Sequence, residues 1–375
     1  MAPLDWGLGH TTRCIPLLHW LLEHNNDLTI ACNADQKAIF LQEFKCINFL
    51  DLQGYEIRYS NRKRLLPFIL IKQIPKILFR IYKEHQWLQH IKKENSFDII
   101  ISDNRYGLYT NQAYTIFITH QLEIQTPLFF KRIAQRINYA YINKFNACWV
   151  PDYAEWPGLA GSLSHPKIMP TTPVQYIGPL TRIKSFKKKA IIYKWLLIMS
   201  GPEPQRTILE NKLLLWLHTH TQPCVLLRGI PNNSNNKNFQ APAHCTVVEY
   251  ASTEEIVQLL QVSTYLISRS GYTTIMEMIT TDMKCIFIPT PAQTEQEYLA
   301  TNLMEQNLPL EKEIADFFAK FPPFPDNVKE ILVKIAPYLC MLGVLLGGIA
   351  LLAVVGVGIG ASAIGVAAYG SMGVY

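Results

Sequence analysis

The chain has 375 residues, 49% of them hydrophobic and 17% charged, with a formal net charge of +6. That is ordinary for a globular α/β protein and long enough for two domains with sizeable cores. The mild basicity suits an anionic nucleotide or a membrane surface and gives no sign of a nucleic-acid partner, and eight cysteines without a CxxC or a His/Cys metal spacing exclude a disulfide framework and read as reduced, mostly buried thiols of a cytosolic protein. No N-terminal signal peptide is expected.

Before Trp6 there is almost no room for a first strand: either it is very short, or the start lies inside a longer gene. Trp6-Gly7-Leu8-Gly9-His10 reads as a glycine-rich turn opening a helix over Thr12–His24, where Ile15, Leu17, Leu18, Leu21 and Leu22 recur at helical spacing. His10 titrates near neutral pH and is a candidate general base, with a purely structural turn histidine as the alternative. Arg13, three residues on, lies on the same helix face, placed to meet a phosphate or a carboxylate. Leu28–Ala31 is a strand, Gln36–Glu43 a helix and Tyr55–Ser60 a short extended piece. From Arg62 to Lys83 bulky apolar residues alternate with isolated cations, and no acid appears before Glu84. Such a stretch forms either a helix on an anionic bilayer or a core-facing helix with a solvated basic face.

Phe97–Ser102 and Thr115–Thr119 are apolar runs of the kind found in parallel sheets buried on both faces. The first runs into Asp103-Asn104-Arg105, the second into His120. Ligands of open α/β sheets sit at the carboxyl ends of strands, so Asp103, Arg105 and His120 are candidates to share a site with His10. A helix cap for Asp103 and a structural ion pair for Arg105 are the alternatives. Ala147–Val150 is a further strand, and the alternation of strand and helix implies a doubly wound parallel sheet.

Lys167–Lys189 is rich in Pro and Lys, lacks periodicity and reads as a linker. Lys194–Met199 starts a second sheet and leads through Ser200-Gly201-Pro202-Glu203-Pro204-Gln205-Arg206 into a helix over Ile208–His218. Pro202 and Pro204 remove two N–H donors, so Ser200, Gly201, Gln205 and Arg206 are the contacts left to this loop. Cys224–Arg228 is a strand ending in a cation, 232–238 a solvated loop, and Thr246–Tyr250 with Ser252 a strand followed by a helix cap. Tyr265–Ile267 is a strand. Ser268–Gly271 is read as a tight turn with Gly271 at φ > 0, and Ser270 as N-cap of a helix running to Ile279. Such a turn aims backbone N–H groups and a positive helix end at one spot, where a phosphate is stabilised. Ser270, Thr274 and Glu277 share one helix face, and Glu277 stands where it can accept hydrogen bonds from ribose hydroxyls. An ordinary strand–turn–helix with a solvated Glu277 fits the bare pattern equally. Cys285–Ile288 is the next strand, followed by a polar loop with Gln293, Gln296 and Glu297.

The stretch 265–298 resembles the donor-binding signature of GT-B glycosyltransferases, closest to the family-28 type, which includes the enzyme that adds N-acetylglucosamine to the undecaprenyl-linked peptidoglycan precursor. In that family a Ser-Gly turn binds the diphosphate and a Glu six residues after the Gly holds the ribose, and Gly271 and Glu277 keep that separation. The resemblance implies an α/β GT-B fold: two Rossmann-like, doubly wound parallel-sheet domains facing a cleft, an acceptor-side domain over 1–169 and a nucleotide-sugar domain over 170–335, with Tyr176–Arg182 crossing between them. His10 and Asp103 are then the catalytic candidates, with Gly9, Arg13, Arg105 and His120 on the acceptor side. Ser200, Gly201, Gln205, Arg206, Arg228, Ser270, Gly271, Thr274, Glu277, Gln293, Gln296 and Glu297 belong to the donor site. The implied reaction is inverting transfer of a hexose or hexosamine, N-acetylglucosamine first, from a UDP-sugar to a lipid-linked or glycan acceptor of the cell envelope. It needs no metal and no cofactor beyond the donor substrate. The rivals are a non-catalytic nucleotide-sugar-binding protein and a UDP-sugar hydrolase or epimerase of the same fold.

From Pro337 to Tyr375 there is no charged side chain. Tyr338–Gly358 alone has about the length needed to cross a bilayer, and Gly343 with Gly347 allows close helix packing in lipid. Lys329 and Lys334 just before it favour a cytoplasmic globular part. Residues 336–375 are therefore expected to be a hydrophobic membrane segment holding the protein at the cytoplasmic side of the inner or plasma membrane, with a buried extension as the alternative.

Overall fold

The structure is a computed structural model; it describes residues 1–305 apart from Trp6, 56–65, 125–127, Pro202, 231–238 and Ala292. The chain divides into two compact units, Met1–Thr181 and Arg182–Pro291, with Glu295 grouping with the first. The division falls at Thr181 rather than after residue 169, because the strand Val174–Tyr176 pairs with Cys148–Val150 and so belongs to the first sheet.

The first unit runs β1 (Ala2–Pro3), α1 (Leu8–Glu23), β2 (Thr29–Cys32), α2 (Ala34–Glu43), β3 (Asn48–Asp51), α3 (Leu66–Ile91), β4 (Ile99–Asp103), β5 (Tyr114–Ile118), α4 (Leu128–Ile142), β6 (Ala147–Val150) and β7 (Val174–Tyr176). Five strands lie in the order β1-β4-β5-β6-β7 and β2 pairs with β3; the Ala31 N–H joins the two sets by donating to Met1 O at 2.9 Å. Every pairing is parallel. The first strand is two residues long. Its register, Ala2 with Ser102 and Pro3 with Asp103, delivers the chain to the carboxyl end of β4, where α1 begins.

That helix starts at Leu8, not Thr12. Gly7 takes φ 71° and makes the turn, a left-handed conformation that suits a residue without Cβ. Gly9 and His10 therefore sit in the first helical turn instead of preceding it. Cys14, Ile15 and Leu18 bury against Ile30, Cys32, Ile39 and Phe40, while Leu17 packs with Ile101, Ile116 and Ile118. Full burial of one such aliphatic side chain contributes about 1.5–3 kcal/mol, so α1 is fixed on the sheet. Asn33 and Gln36 form a capping box at the start of α2. The Gln36 amide also donates to Leu4 O at 2.9 Å and Thr11 Oγ1 at 3.1 Å, tying the loop before α1 to α2.

The expected basic stretch enters α3. From Pro75 onward, Ile77, Ile81, Glu84 and Leu88 are buried at helical spacing while Phe79 and Tyr82 are exposed, so this part of the helix faces a core. Residues 56–60 of the expected extended piece, and the cations at 62–64, lie outside the described residues.

The second unit runs β8 (Tyr193–Ile198), α5 (Gln205–Leu217), β9 (Cys224–Leu227), β10 (Cys245–Val248), α6 (Thr253–Gln261), β11 (Ser263–Ser268), α7 (Tyr272–Met278) and β12 (Lys284–Phe287); of the helix α8 (Thr294–Glu305) that follows, Thr294 and Glu295 group with the first unit and the residues from Gln296 with the second. The sheet order is β10-β9-β8-β11-β12, again all parallel. Trp195, Leu197, Cys224, Leu226, Tyr265 and Ile267 point into one core, and Leu196, Val225, Leu227 and Leu266 into the other. This alternation is why the strands read as unbroken apolar runs: both faces are covered by helices. Ser252 and Glu255 cap α6 as expected.

The seven described cysteines are all free. Among the described residues no helix is long and apolar enough to cross a membrane. The hydrophobic segment expected over 336–375 and the loop expected over 232–238 lie outside the described residues.

Candidate active site

At the carboxyl end of β4 the structure gathers four of the residues expected to act together. His10 Nδ1 lies 2.9 Å from Asp103 Oδ2. Arg13, one turn further along α1, reaches the same carboxylate with two groups: Nε donates to Oδ2 at 3.0 Å, and Nη2 donates to Oδ1. Its remaining Nη1 meets His120 Nδ1 at 3.2 Å, and His120 Nε2 lies 2.7 Å from Glu295 Oε1. The Cys14 thiol approaches Asp103 Oδ2 at 3.7 Å. Asp103 is fully buried and Arg13 nearly so, whereas 17% of the His10 side chain is exposed.

The electrostatics follow from those contacts. Burial opposes ionisation of Asp103, but Arg13 and then His10 outweigh it and hold the carboxyl at about 2. Burial, and then the Arg13 charge, lower the His10 pKa below its ordinary value, with Asp103 opposing them. Burial likewise opposes ionisation of Glu295, and the His120 contact overcomes it and lowers that pKa. The site therefore holds an ionised carboxylate against an imidazole biased toward neutrality near pH 7, the pairing a general base requires. Gly9 contributes only backbone to the described contacts, its carbonyl accepting from Thr12 Oγ1 at 3.3 Å.

Arg105 does not join this site, contrary to the expectation. Its Nη1 donates to Glu84 Oε1 at 2.6 Å and its Nε to Pro3 O at 2.8 Å, and it is fully buried. Glu84 also accepts from the Gly107 N–H at 2.8 Å and the Tyr55 hydroxyl at 3.1 Å. Arg105 thus ties β1, α3 and the loop after β4 together, the structural ion pair weighed as the alternative.

On the donor side of the expectation, two arginines are taken up by carboxylates. Arg228 donates to Glu210 at 2.7 and 3.1 Å and to Glu249 at 3.0 Å, and stacks on Phe239 with its Cζ 3.8 Å from the ring centre. Arg206 donates to Glu203 at 2.6 Å, Glu210 at 3.3 Å and Arg228 O at 3.2 Å. These guanidinium groups hold the start of α5 against β9 and do not point a spare donor fork at a phosphate. Gln205 opens α5, and its carbonyl accepts from Arg269 Nη2 at 2.8 Å. Ser200 and Gly201 form the loop between β8 and α5, with Gly201 at φ 100° and nothing within 4 Å of where a Cβ would stand.

The turn before α7 differs from its expected form. Gly271 is the N-cap, at φ −74° and ψ 140°, and no side chain caps the helix. Ser270 instead donates its hydroxyl to Gln296 O at 2.8 Å. A Cβ at Gly271 would meet only Thr274 Oγ1, at 4.0 Å, so the backbone here faces open space and Thr274 lines it. Glu277 is not a solvated side chain: Arg182 Nε donates to its Oε1 at 2.6 Å, and Arg182 Nη1 donates to Thr253 Oγ1 at 3.2 Å. Gln296 is buried with its Oε1 accepting from the Thr290 N–H at 2.8 Å, so this side chain braces its own loop. Gln293 and Glu297 flank it and are partly exposed. Glu295, between them, is the member of the histidine network that the sequence reading did not single out.

Residues 206–311 match the family model described as the glycosyltransferase family 28 C-terminal domain, which spans α5 through the signature stretch. Among solved structures the chain is similar to the glycotransferase of kitacinnamycin, with TM-score 0.57, 13% identity, and 93% of this chain and 94% of that one covered. It is similar to the spinosyn forosaminyltransferase SpnP at TM-score 0.50 and 13% identity, covering 92% of each chain. A third is UGT2 of Phytolacca americana complexed with UDP-2fluoro-glucose and pterostilbene, at TM-score 0.51 and 11% identity, covering 92% of each chain. At these identities the structures share a fold. No curated protein sequence matches the chain.

Proposed function

We propose that this chain, a glycosyltransferase by its family 28 C-terminal domain and its fold, moves a hexose or hexosamine from a UDP-sugar to a hydroxyl of a lipid-linked or glycan acceptor. N-acetylglucosamine is the first donor sugar to try, the transfer is inverting, and no metal takes part. The observation that carries the reading is the His10–Asp103 pair at the carboxyl end of β4, in a chain whose residues 206–311 match the glycosyltransferase family 28 C-terminal domain.

The chemistry follows from the tautomer. An ionised Asp103 accepts the Nδ1–H of His10, so the lone pair is on Nε2. Nε2 removes the proton of the acceptor hydroxyl as its oxygen attacks C1 of the donor sugar. The C1–O bond to the diphosphate breaks on the opposite face, which inverts the anomeric centre. UDP leaves as the anion and the proton remains on His10 until it passes to solvent. In this reading the leaving charge falls to backbone N–H groups at 200–201 and 270–272, because Arg206 and Arg228 already hold carboxylates. Glu277, oriented by Arg182, accepts from the ribose hydroxyls, and Gln293 and Glu297 face the sugar.

The test is product analysis with purified protein, UDP-N-acetylglucosamine and a panel of lipid-linked and oligosaccharide acceptors. Acceptor-dependent glycoside formation with release of UDP is expected. Free sugar formed regardless of acceptor would replace transfer by hydrolysis, an epimerised donor would replace it by epimerisation, and nucleotide binding without turnover would leave a binding protein. The proposal extends to the cytoplasmic face of the inner or plasma membrane, with 336–375 as anchor and the α3 cations adding about 1 kcal/mol each near an anionic surface. The full chain should then stay in membranes through a carbonate wash, and its release would remove the anchor from the proposal.

A further inference from the structure

The contacts around Arg13 fix more than its own position. A guanidinium is an obligate donor and stays protonated at any pH the protein meets. Its Nη1 faces His120 Nδ1, so that nitrogen must carry the lone pair. The proton of a neutral His120 is then on Nε2, where it is donated to Glu295 Oε1 at 2.7 Å. His120 is thereby taken up on both ring nitrogens and is no candidate base for a substrate. On its other side the same guanidinium grips both oxygens of Asp103. Its charge keeps that carboxylate ionised, and an ionised carboxylate demands the Nδ1–H tautomer of His10. The two histidines are held in opposite tautomers by one arginine.

We propose that Arg13 is the positioning residue of this site: gripped between Asp103 and a His120 anchored by Glu295, it fixes the Nδ1–H tautomer of His10 and leaves Nε2 as its basic nitrogen. The inference rests on His10 being the general base of the proposed transfer. The charged and titratable groups around the His10–Asp103 pair are Arg13 on α1, His120 after β5 and Glu295 at the start of α8, with the Cys14 thiol against Asp103. Of these, Arg13 is the permanent cation. Removing it lets His10 bind a proton more readily, which moves the acid limb of activity to higher pH.

The direct test uses the wild-type full chain. Long-range proton–nitrogen NMR of histidine side chains at neutral pH should show His10 protonated at Nδ1 and His120 protonated at Nε2. The reverse tautomer at either residue, or a doubly protonated His120, overturns the proposal even if transfer activity is found. Kinetics supply the second arm. Arg13→Gln should lower kcat by about 10- to 100-fold, taking as a guide the loss seen when the outer partners that orient metal-ligating histidines are removed, with donor KM little changed. Its kcat/KM acid limb should shift upward in pH. Glu295→Gln, whose amide oxygen still accepts from His120 Nε2, should keep most of the activity that Glu295→Ala loses. An Arg13→Gln enzyme with lower kcat and an unmoved acid limb would reduce Arg13 to a structural prop. A His10→Ala enzyme that transfers normally would instead remove the base assignment, while the tautomer measurement would still stand on its own.

Discussion

Each unit buries an arginine beside the carboxyl end of its sheet, and the two do opposite things. Arg13 and Arg228 are each 2% exposed. Arg13 shares one carboxylate, Asp103, with a histidine that keeps an exposed edge. Arg228 faces two carboxylates, Glu210 and Glu249, and its flat face is covered by Phe239. In the first unit the ion pair therefore orients a titratable group, and in the second it closes on itself. A cation at a strand end marks a reactive site only where its carboxylate still has a proton to hold.

The sharpest way to break this contrast is to remove the histidine. His10→Ala should lower turnover by roughly two to four orders of magnitude, the span general-base removal covers, with affinity for UDP measured by calorimetry nearly unchanged. Wild-type activity should persist below the ordinary histidine pKa, because burial and Arg13 lower that of His10, and should fall as the imidazole is finally protonated. Stability bends the same way. Asp103 contributes fully above its unfolded value of 3.8 and loses that contribution as pH falls through about 2. His10, lowered in the folded state, adds a penalty only below its own unfolded value of 6.5. Both therefore make the fold weaker toward acid, which urea titrations at pH 3 and pH 7 would register. Full transfer by His10→Ala would make the first unit's pair as structural as the second's.

Next in size is Arg228→Met. It leaves Glu210, itself 2% exposed, with only the longer contact to Arg206 at 3.3 Å. Breaking a buried pair from one side costs about 3–5 kcal/mol; Glu249 is 41% exposed and adds little. Chemical denaturation should show this loss while the remaining folded protein binds UDP normally. A stable variant with weakened nucleotide affinity would restore the phosphate role that Arg228 was expected to have.

How far the sequence led is visible in these same residues. The strands β4, β5, β8 and β11 were legible because burial on both faces leaves an unbroken apolar run. β3 was missed because its four residues are all partly or fully exposed and carry no such run. Asp103 and His120 were found by the strand-end rule, His10 by the glycine-rich turn that opens α1, and Arg13 by its helical spacing from His10. Glu295 was not found, since it lies 175 residues from His120, at the start of α8, in a stretch that reads from sequence as a polar loop with no periodicity. The partner of Arg206 was in plain view, as Glu210 follows at helical spacing. That of Arg105 needed the packing of α3 on β4. Whether an arginine meets a carboxylate or a ligand is decided by tertiary contacts that a residue type does not encode.

Glu277→Ala tests the donor side at smaller scale. Loss of a charge-assisted hydrogen bond to ribose should weaken UDP binding by about 1–3 kcal/mol. The same change frees Arg182, whose Nε donates to Glu277 at 2.6 Å with both side chains 11% exposed, so melting must be measured alongside calorimetry. A stability loss with unchanged UDP affinity would place Glu277 with Arg228 among the structural carboxylate pairs.

The smallest change tests the backbone rather than a charge. At φ −74° and ψ 140° Gly271 sits in extended space open to any residue, so conformation does not require the glycine. Nor does packing, since an added Cβ would meet only Thr274 Oγ1 at 4.0 Å. Gly271→Ala should therefore leave stability unchanged or raise it by about 0.4–1 kcal/mol through the lost freedom of the unfolded chain. If the diphosphate approaches this backbone, the methyl group stands in its way, and UDP affinity should fall although the fold is untouched. Gly201→Ala is the contrasting control: its space is equally open but its φ of 100° strains any side chain, so it should lose stability as well. A Gly271→Ala protein that melts at or above the wild-type temperature and binds UDP as tightly would move the diphosphate away from the 270–272 turn.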